Sequence, residues 1–275
     1  MIKSGEIDKI AIEKGVRAKQ IQKDYVISWI LWGIARNEFL NQNLVFKGGT
    51  CLKKMHFEDY RYSEDMDFTL RNDEITDDQI IENFDLMFED VYEGSRIKIE
   101  VIKDTIDFHK DSGSLKFKMV YSATHGVDEI KVDATRGEKI EFNVEHRPVL
   151  NNYSDLAEED RTMIYCYSLE EVLIEKITAL MGRTIPRDLY DFDYLIEEEG
   201  LRLDDVYIEF IRKAENKGHN PKEFINKVEA KRNTFERDWE ISLSKQMNKE
   251  DLPDFKNLWR IAGGHFKYLM KLLEN

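Results

Sequence analysis

Two aspartates one residue apart, Asp65 and Asp67, are the residues of this chain whose type and spacing point most directly to chemistry. In an extended strand, residues i and i+2 project from the same face. Met66, Phe68 and Leu70 alternate with Asp65, Asp67 and Thr69, as in a strand with one wet face. Each of two neighbouring carboxylates raises the cost of ionising the other, and a cation between them removes that cost. Hard oxygen ligands suit magnesium. Taken alone, the pair reads equally well as two solvated acids on a strand edge. Asp133 ends the strand expected at 130–132 and is the candidate third carboxylate. Carboxylates gathered around two close metal ions clamp the attacking and leaving oxygens of an in-line phosphoryl transfer.

Gly48-Gly49-Thr50 precedes this strand and follows a short apolar run at 44–46. Paired glycines let the backbone turn sharply and let a phosphate approach closely. By itself the pair reads more simply as a tight turn. A second cluster lies further on. Lys176 and Arg183 are seven residues apart and would share a helical face, and Asp188 and Asp191, at i and i+3, would share another. Basic groups near a carboxylate site hold nucleotide phosphates. Without other support this cluster reads first as a salt-bridged surface patch.

The elements that must position these residues follow from periodicity. Residues 18–41 read as a helix, 44–46 as a short strand, 50–57 as a short helix and 75–92 as a long helix. Residues 96–103, 114–121, 129–133 and 140–144 read as successive strands. Ser168 followed by Glu171 has the form of a capping box and opens a helix to about residue 181. Further helices are expected at 189–197, 204–217, 221–244 and 252–273. The fold class is therefore α+β. A first domain over 1–160 combines one sheet with helices, including an N-terminal helix, and a helical domain covers 161–275.

With 275 residues, 41% of them hydrophobic, the chain is large enough to bury a real core. No apolar run approaches the roughly 18 residues that cross a bilayer, and no secretory signal is visible, so a cytoplasmic protein without membrane contact is expected. The cysteines, Cys51 and Cys166, read as reduced thiols. A net charge of −14 argues against a general nucleic-acid coat, although not against a local basic face. Lys213, Lys217, Lys222, Lys227, Lys231, Arg232 and Arg237 would supply one on two late helices, balanced by Glu215, Glu223, Glu229 and Glu236.

The run Phe46-Lys47-Gly48-Gly49-Thr50-Cys51-Leu52-Lys53-Lys54, followed by Arg61-Tyr62-Ser63-Glu64-Asp65-Met66-Asp67-Phe68, resembles the AbiEii/AbiGii-type nucleotidyltransferases. These are toxins of type IV toxin–antitoxin and abortive-infection systems, in the DNA polymerase beta-like nucleotidyltransferase superfamily. Lys176, Arg183 and Arg187-Asp188-Leu189-Tyr190-Asp191 match the second cluster of that family, so the resemblance covers about residues 46–191. It implies a mixed sheet flanked by helices, then a helical bundle. It implies magnesium, two ions with manganese as a substitute, held by Asp65, Asp67 and Asp133. It implies nucleotide binding by Lys47, Gly48, Gly49, Thr50, Lys53, Ser63, Arg183 and Asp191, and essential roles for Lys176 and Asp188. Asp133 matches by position after a strand and not by motif, and the insert between Gly49 and Asp65 is longer than in the wider superfamily.

The expected activity is transfer of a nucleoside monophosphate from a nucleoside triphosphate to an acceptor, either RNA such as tRNA or a protein. The alternatives are a GTP-binding interaction module without turnover and, more weakly, a metal phosphohydrolase. The expected partner is an antitoxin encoded nearby, a DNA-binding repressor acting without a stable complex. Lys176 is expected to be exposed and to contact nucleotide phosphates.

Overall fold

The structure, a computed structural model, describes residues 1–109, 113–156 and 162–274. It divides into two compact units, Met1–Glu138 with Val144–Tyr167, and Lys139–Asn143 with Ser168–Asn275. The boundary expected after residue 160 falls outside the described residues; the units part at Tyr167.

The first unit begins with helix α1 (Ser4–Lys14), which sparse apolar residues hid from periodicity, although Ile7 and Ala11 are buried. The helix expected over 18–41 is two: α2 (Ala18–Arg36) and α3 (Glu38–Asn43). The break is at Asn37, whose side chain accepts a hydrogen bond from the Leu40 amide at 2.9 Å and so caps α3. Strand β1 (Leu44–Lys47) leads into a single turn, α4 (Gly48–Cys51), and a π-helical turn (Leu52–His56). Then come β2 (Met66–Leu70), α5 (Asp77–Ser95), β3 (Lys98–Val101), β4 (Asp107–His109), β5 (Ser114–Ala123), β6 (Gly126–Thr135), β7 (Glu145–Pro148) and β8 (Met163–Cys166). Among the described residues eight strands form one sheet in the order β3-β5-β6-β2-β1-β8-β7, with β4 beside β5. β2 runs parallel to β6 and β1 parallel to β8; the other pairings are antiparallel, so the sheet is mixed as expected.

Alternation sorts the sheet into two faces. Phe46, Met66, Phe68, Phe117, Val132 and Ala134 join one apolar core with residues of α2 and α5. Phe84 of α5 meets Phe117 edge to face at 5.3 Å between centroids. The helices approach each other closely at Gly33, where an added Cβ would lie 2.6 Å from Met87 Sδ. The other face of the same strands carries Lys47, Asp67, Thr69, Asp133 and Thr135, in register across β1, β2 and β6.

The second unit holds α6 (Leu169–Gly182), α7 (Pro186–Glu197), α8 (Tyr207–Asn216), α9 (Phe224–Glu229), α10 (Arg232–Leu243) and α11 (Phe255–Glu274). Phe192, Phe210, Phe224 and Phe266 form its aromatic centre. The strand expected at 140–144 does not form. The amides of Glu141 and Phe142 donate to Glu171 Oε2 at 2.8 and 2.9 Å instead of to a neighbouring strand. This also halves the expected capping box. Ser168 Oγ accepts from the Glu171 amide at 3.3 Å, but the Glu171 carboxylate is taken up by that segment and by Lys213.

Asp193 in α7 gives a pH-dependent prediction. Burial, then the charges of Glu197 and Glu198, push its carboxyl up to about 7, and its Oδ1 is buried without a hydrogen-bond partner. The folded state therefore keeps a proton that the unfolded chain releases near pH 3.9. Stability is full below about pH 4 and falls as pH rises towards 7. Asp193→Asn is expected to stabilise the protein at about pH 8 by about 1–2 kcal/mol, discounted for partial exposure, or a few degrees of melting midpoint. At about pH 4 the two proteins should melt together; calorimetry at both values checks this.

Candidate active site

The register that brings the site together is set by strand pairing. Asp67 in β2 is the Cα partner of Asp133 in the parallel neighbour β6, and of Lys47 in the antiparallel neighbour β1. Directly paired residues share a face with Cα atoms about 5 Å apart. Asp65 stands just before β2. Burial alternates through this stretch, with Asp65 and Asp67 partly exposed beside buried Met66 and Phe68.

The glycine turn lies against these acids. Gly48 has φ +81°, in the left-handed region, and a Cβ added there would lie 2.6 Å from Asp67 Oδ2. Thr50 Oγ1 donates to the Asp65 carbonyl. An added Cβ at Gly49 would lie 2.6 Å from the Arg61 guanidinium. Gly48→Ala therefore meets both backbone strain and a carboxylate oxygen. It is expected to cost about 1–3 kcal/mol of stability and on the order of tenfold or more in turnover. Steady-state kinetics alongside thermal denaturation check this.

Around the acids lies a polar network that sequence reasoning missed. Lys47 Nζ pairs with Glu138 and lies 3.5 Å from Thr135 Oγ1. Thr69 Oγ1 lies 3.3 Å from Glu138 Oε2 and 2.6 Å from the Tyr167 hydroxyl. Lys116 Nζ, on the register partner of Asp133, lies 3.2 Å from its Oδ2. Extending the period of two from Asp67 to Thr69 and from Asp133 to Thr135 would have found the threonines. Glu138 and Tyr167 left no local signal.

Lys53, expected to bind nucleotide, faces another part of this unit. Lys53 is buried, donates to the Glu58 carbonyl and sits 5.0 Å from the Tyr62 ring centre. Together with Lys54, Asp24 and Tyr153 it lines a cavity of about 220 Å³. Ser63 is buried.

In the second unit Lys176 is not exposed, contrary to expectation. It is 6% accessible and bridges Asp188 Oδ1 at 2.9 Å and Asp191 Oδ2 at 2.7 Å. The expected face shared by Lys176 and Arg183 does not exist either. Arg183 ends α6 with extended backbone at φ −132°. Its guanidinium meets Asp188 from the side, with Nε at 2.7 Å from Oδ2 and an Nη at 3.1 Å from Oδ1, while the side chain stays 56% exposed. Burial would raise the Asp188 carboxyl, but the charges of Lys176 and Arg183 outweigh it and hold the group below its ordinary value. The expected basic face also shrinks. Lys213 is buried against Glu171, and Lys231 Nζ donates to the Leu180, Met181 and Arg183 carbonyls at the end of α6.

The family model for the AbiEii nucleotidyl transferase toxin of type IV toxin–antitoxin systems matches residues 29–261. The chain belongs to the AbiEii nucleotidyltransferase toxin family. It is thus a nucleotidyltransferase, and the AbiEii family brings with it an antitoxin as partner. Its fold is similar to that of JHP933 from Helicobacter pylori, with a TM-score of 0.57 at 18% identity, over 94% of this chain and 95% of that one. It is also similar to MenT4, a nucleotidyltransferase toxin of Mycobacterium tuberculosis H37Rv, with a TM-score of 0.53 at 17% identity, over 78% of this chain and 69% of that one. A curated relative, 4-diphosphocytidyl-2-C-methyl-D-erythritol kinase of Macrococcus caseolyticus (strain JCSC5402), is 28% identical over 98 residues. That stretch is 36% of this chain and 31% of the relative's length. Among the described residues no helix is long and apolar enough to cross a membrane.

Proposed function

We propose that this AbiEii-family chain transfers a nucleoside monophosphate from a nucleoside triphosphate to an RNA acceptor such as tRNA, releasing pyrophosphate, with magnesium held by Asp65, Asp67 and Asp133. The observation that carries the reading is the register of Asp67 with Asp133, backed by the close approach of Gly48 to the Asp67 carboxylate. The residues fit the ion in type: Asp67 and Asp133 are register partners on neighbouring strands, Asp65 stands just before β2, and carboxylate oxygens suit magnesium, with manganese as a substitute. When bound, the ions neutralise charge on the phosphorus centre and on the departing pyrophosphate.

The chain's own residues do the rest. Gly48 and Gly49 carry no side chain that would keep the triphosphate from the backbone, and Thr50 fixes the turn to Asp65. Lys47 is held in place by Glu138 and Thr135 beside Asp67. Asp133 accepts the proton of the acceptor hydroxyl, and Lys116 steadies its charge. In the second unit Lys176 bridges Asp188 and Asp191, and Asp188 in turn orients the half-exposed side chain of Arg183. Lys176 thus acts as a positioning residue. The antitoxin is proposed to be a DNA-binding repressor that counters the toxin without a stable complex.

Incubation with each α-labelled triphosphate, magnesium and total RNA tests the acceptor. Label that resists protease and yields to ribonuclease supports RNA. Label that resists ribonuclease and yields to protease replaces RNA by protein. Triphosphate binding without product replaces the enzyme by a binding module.

A further inference from the structure

On the apolar side of the sheet, away from the aspartates, three soft metal ligands converge. One ligand atom from each of Cys51, His56 and Cys166 lies within 4.8 Å of the other two. Among the described residues this is the one group of His, Cys, Asp and Glu so gathered. Cys51 closes α4, His56 closes the π-helical turn, and Cys166 closes β8 opposite Phe46 of β1. Both thiols are buried at 0% accessibility and neither is in a disulfide.

The histidine is oriented as a ligand. Its Nε2 lies 3.0 Å from the Tyr167 carbonyl oxygen, which accepts only. Nε2 therefore carries the hydrogen, and Nδ1 presents its lone pair. A backbone carbonyl receiving the second ring N–H is the usual support of a metal-ligating histidine. Two sulfurs and one imidazole nitrogen, with bond lengths near 2.3 and 2.0 Å in a tetrahedron, call for ligand atoms about 3.5–4 Å apart, within the observed spread.

We propose that Cys51, His56 and Cys166 bind one soft divalent transition metal ion of the zinc class, which ties the phosphate-binding turn to β8. The ion differs from the catalytic one in ligand chemistry and in the face of the sheet it occupies. Thiolates and imidazole select zinc over magnesium, whereas the aspartates favour magnesium. The consequence for the enzyme is positional. Cys51 directly follows Gly48-Gly49-Thr50, and Tyr167, next after Cys166, reaches Thr69 on the catalytic face.

The test needs no triphosphate. The full chain is exposed to zinc, desalted and assayed for metal, and in parallel titrated with cobalt(II) while thiolate-to-cobalt charge-transfer absorption is recorded. The expected result is about one zinc per chain and an intense charge-transfer band. Cys51→Ser and Cys166→Ser, checked for fold by circular dichroism, should lose both, and Asp67→Asn should keep both. Wild-type protein that takes up no zinc, or that binds cobalt without the thiolate band, overturns the proposal whatever the variants do. Zinc retained by both folded cysteine variants overturns it as well.

Discussion

Asp67→Asn is expected to lower nucleotidyl transfer by on the order of 10² to 10⁴-fold or more, with the melting midpoint within a few degrees of wild type. The substitution keeps size and shape and removes one charge. Asp67 stands in register with Asp133 and against Gly48, so in the proposed site it is the carboxylate that joins the glycine turn to the metal ligands. Losing its charge weakens ion binding and leaves the transferring phosphorus without its counter-charge. Asp65→Asn should act alike. Single-turnover rates across a magnesium titration separate the two causes: excess metal restores part of a binding defect and none of a chemical one.

Lys176→Ala has the second large effect, and it falls first on stability. Lys176 is the shared cation of Asp188 and Asp191, which are 2% and 0% exposed. Removing one member of a buried ion cluster leaves uncompensated charge, at a cost of about 3–5 kcal/mol. Arg183 still faces Asp188 after the substitution. Because Asp188 is held below its ordinary value, its stabilising contribution is complete above about pH 4 and disappears as pH falls through its folded-state value. Lys176→Ala should therefore narrow the gap to wild type in acid. Urea unfolding at about pH 7 and at steps from about pH 4 down to about pH 2 reads this. An unchanged midpoint at neutral pH would return Lys176 to the exposed position that its helical spacing suggests.

How much the sequence discloses depends on whether a feature is local. The alternation from Asp65 to Leu70 is local, and it yields strand β2 and the face that Asp67 shares with Thr69, although Thr69 is buried. Most strands and later helices came from periodicity, although the helix expected over 221–244 is broken at 230–231, and the mixed sheet and the AbiEii family came from the resemblance carried by two ordered motifs. What stayed hidden is non-local. The pairing of Asp67 with Asp133 is set by a parallel register that no spacing encodes. The run 140–144 alternates like a strand, yet its amides go to Glu171, a partner found only in the folded unit. Lys176 and Lys213 look like surface lysines because charge normally marks the surface; only the placement of Asp188, Asp191 and Glu171 makes their burial tolerable. Asn37 broke a helix that periodicity ran through, by capping the next one.

The claim that Asp65, Asp67 and Asp133 carry out nucleotidyl transfer is tested most directly by following both ends of the triphosphate. Wild-type protein and Asp67→Asn are incubated with magnesium, total RNA and triphosphate labelled at the α- or the γ-phosphorus. The expected result is α-label in acceptor and γ-label in pyrophosphate, both metal-dependent and both abolished in Asp67→Asn. Release of γ-label as inorganic phosphate with no α-label in acceptor, or undiminished transfer by folded Asp67→Asn, would contradict it.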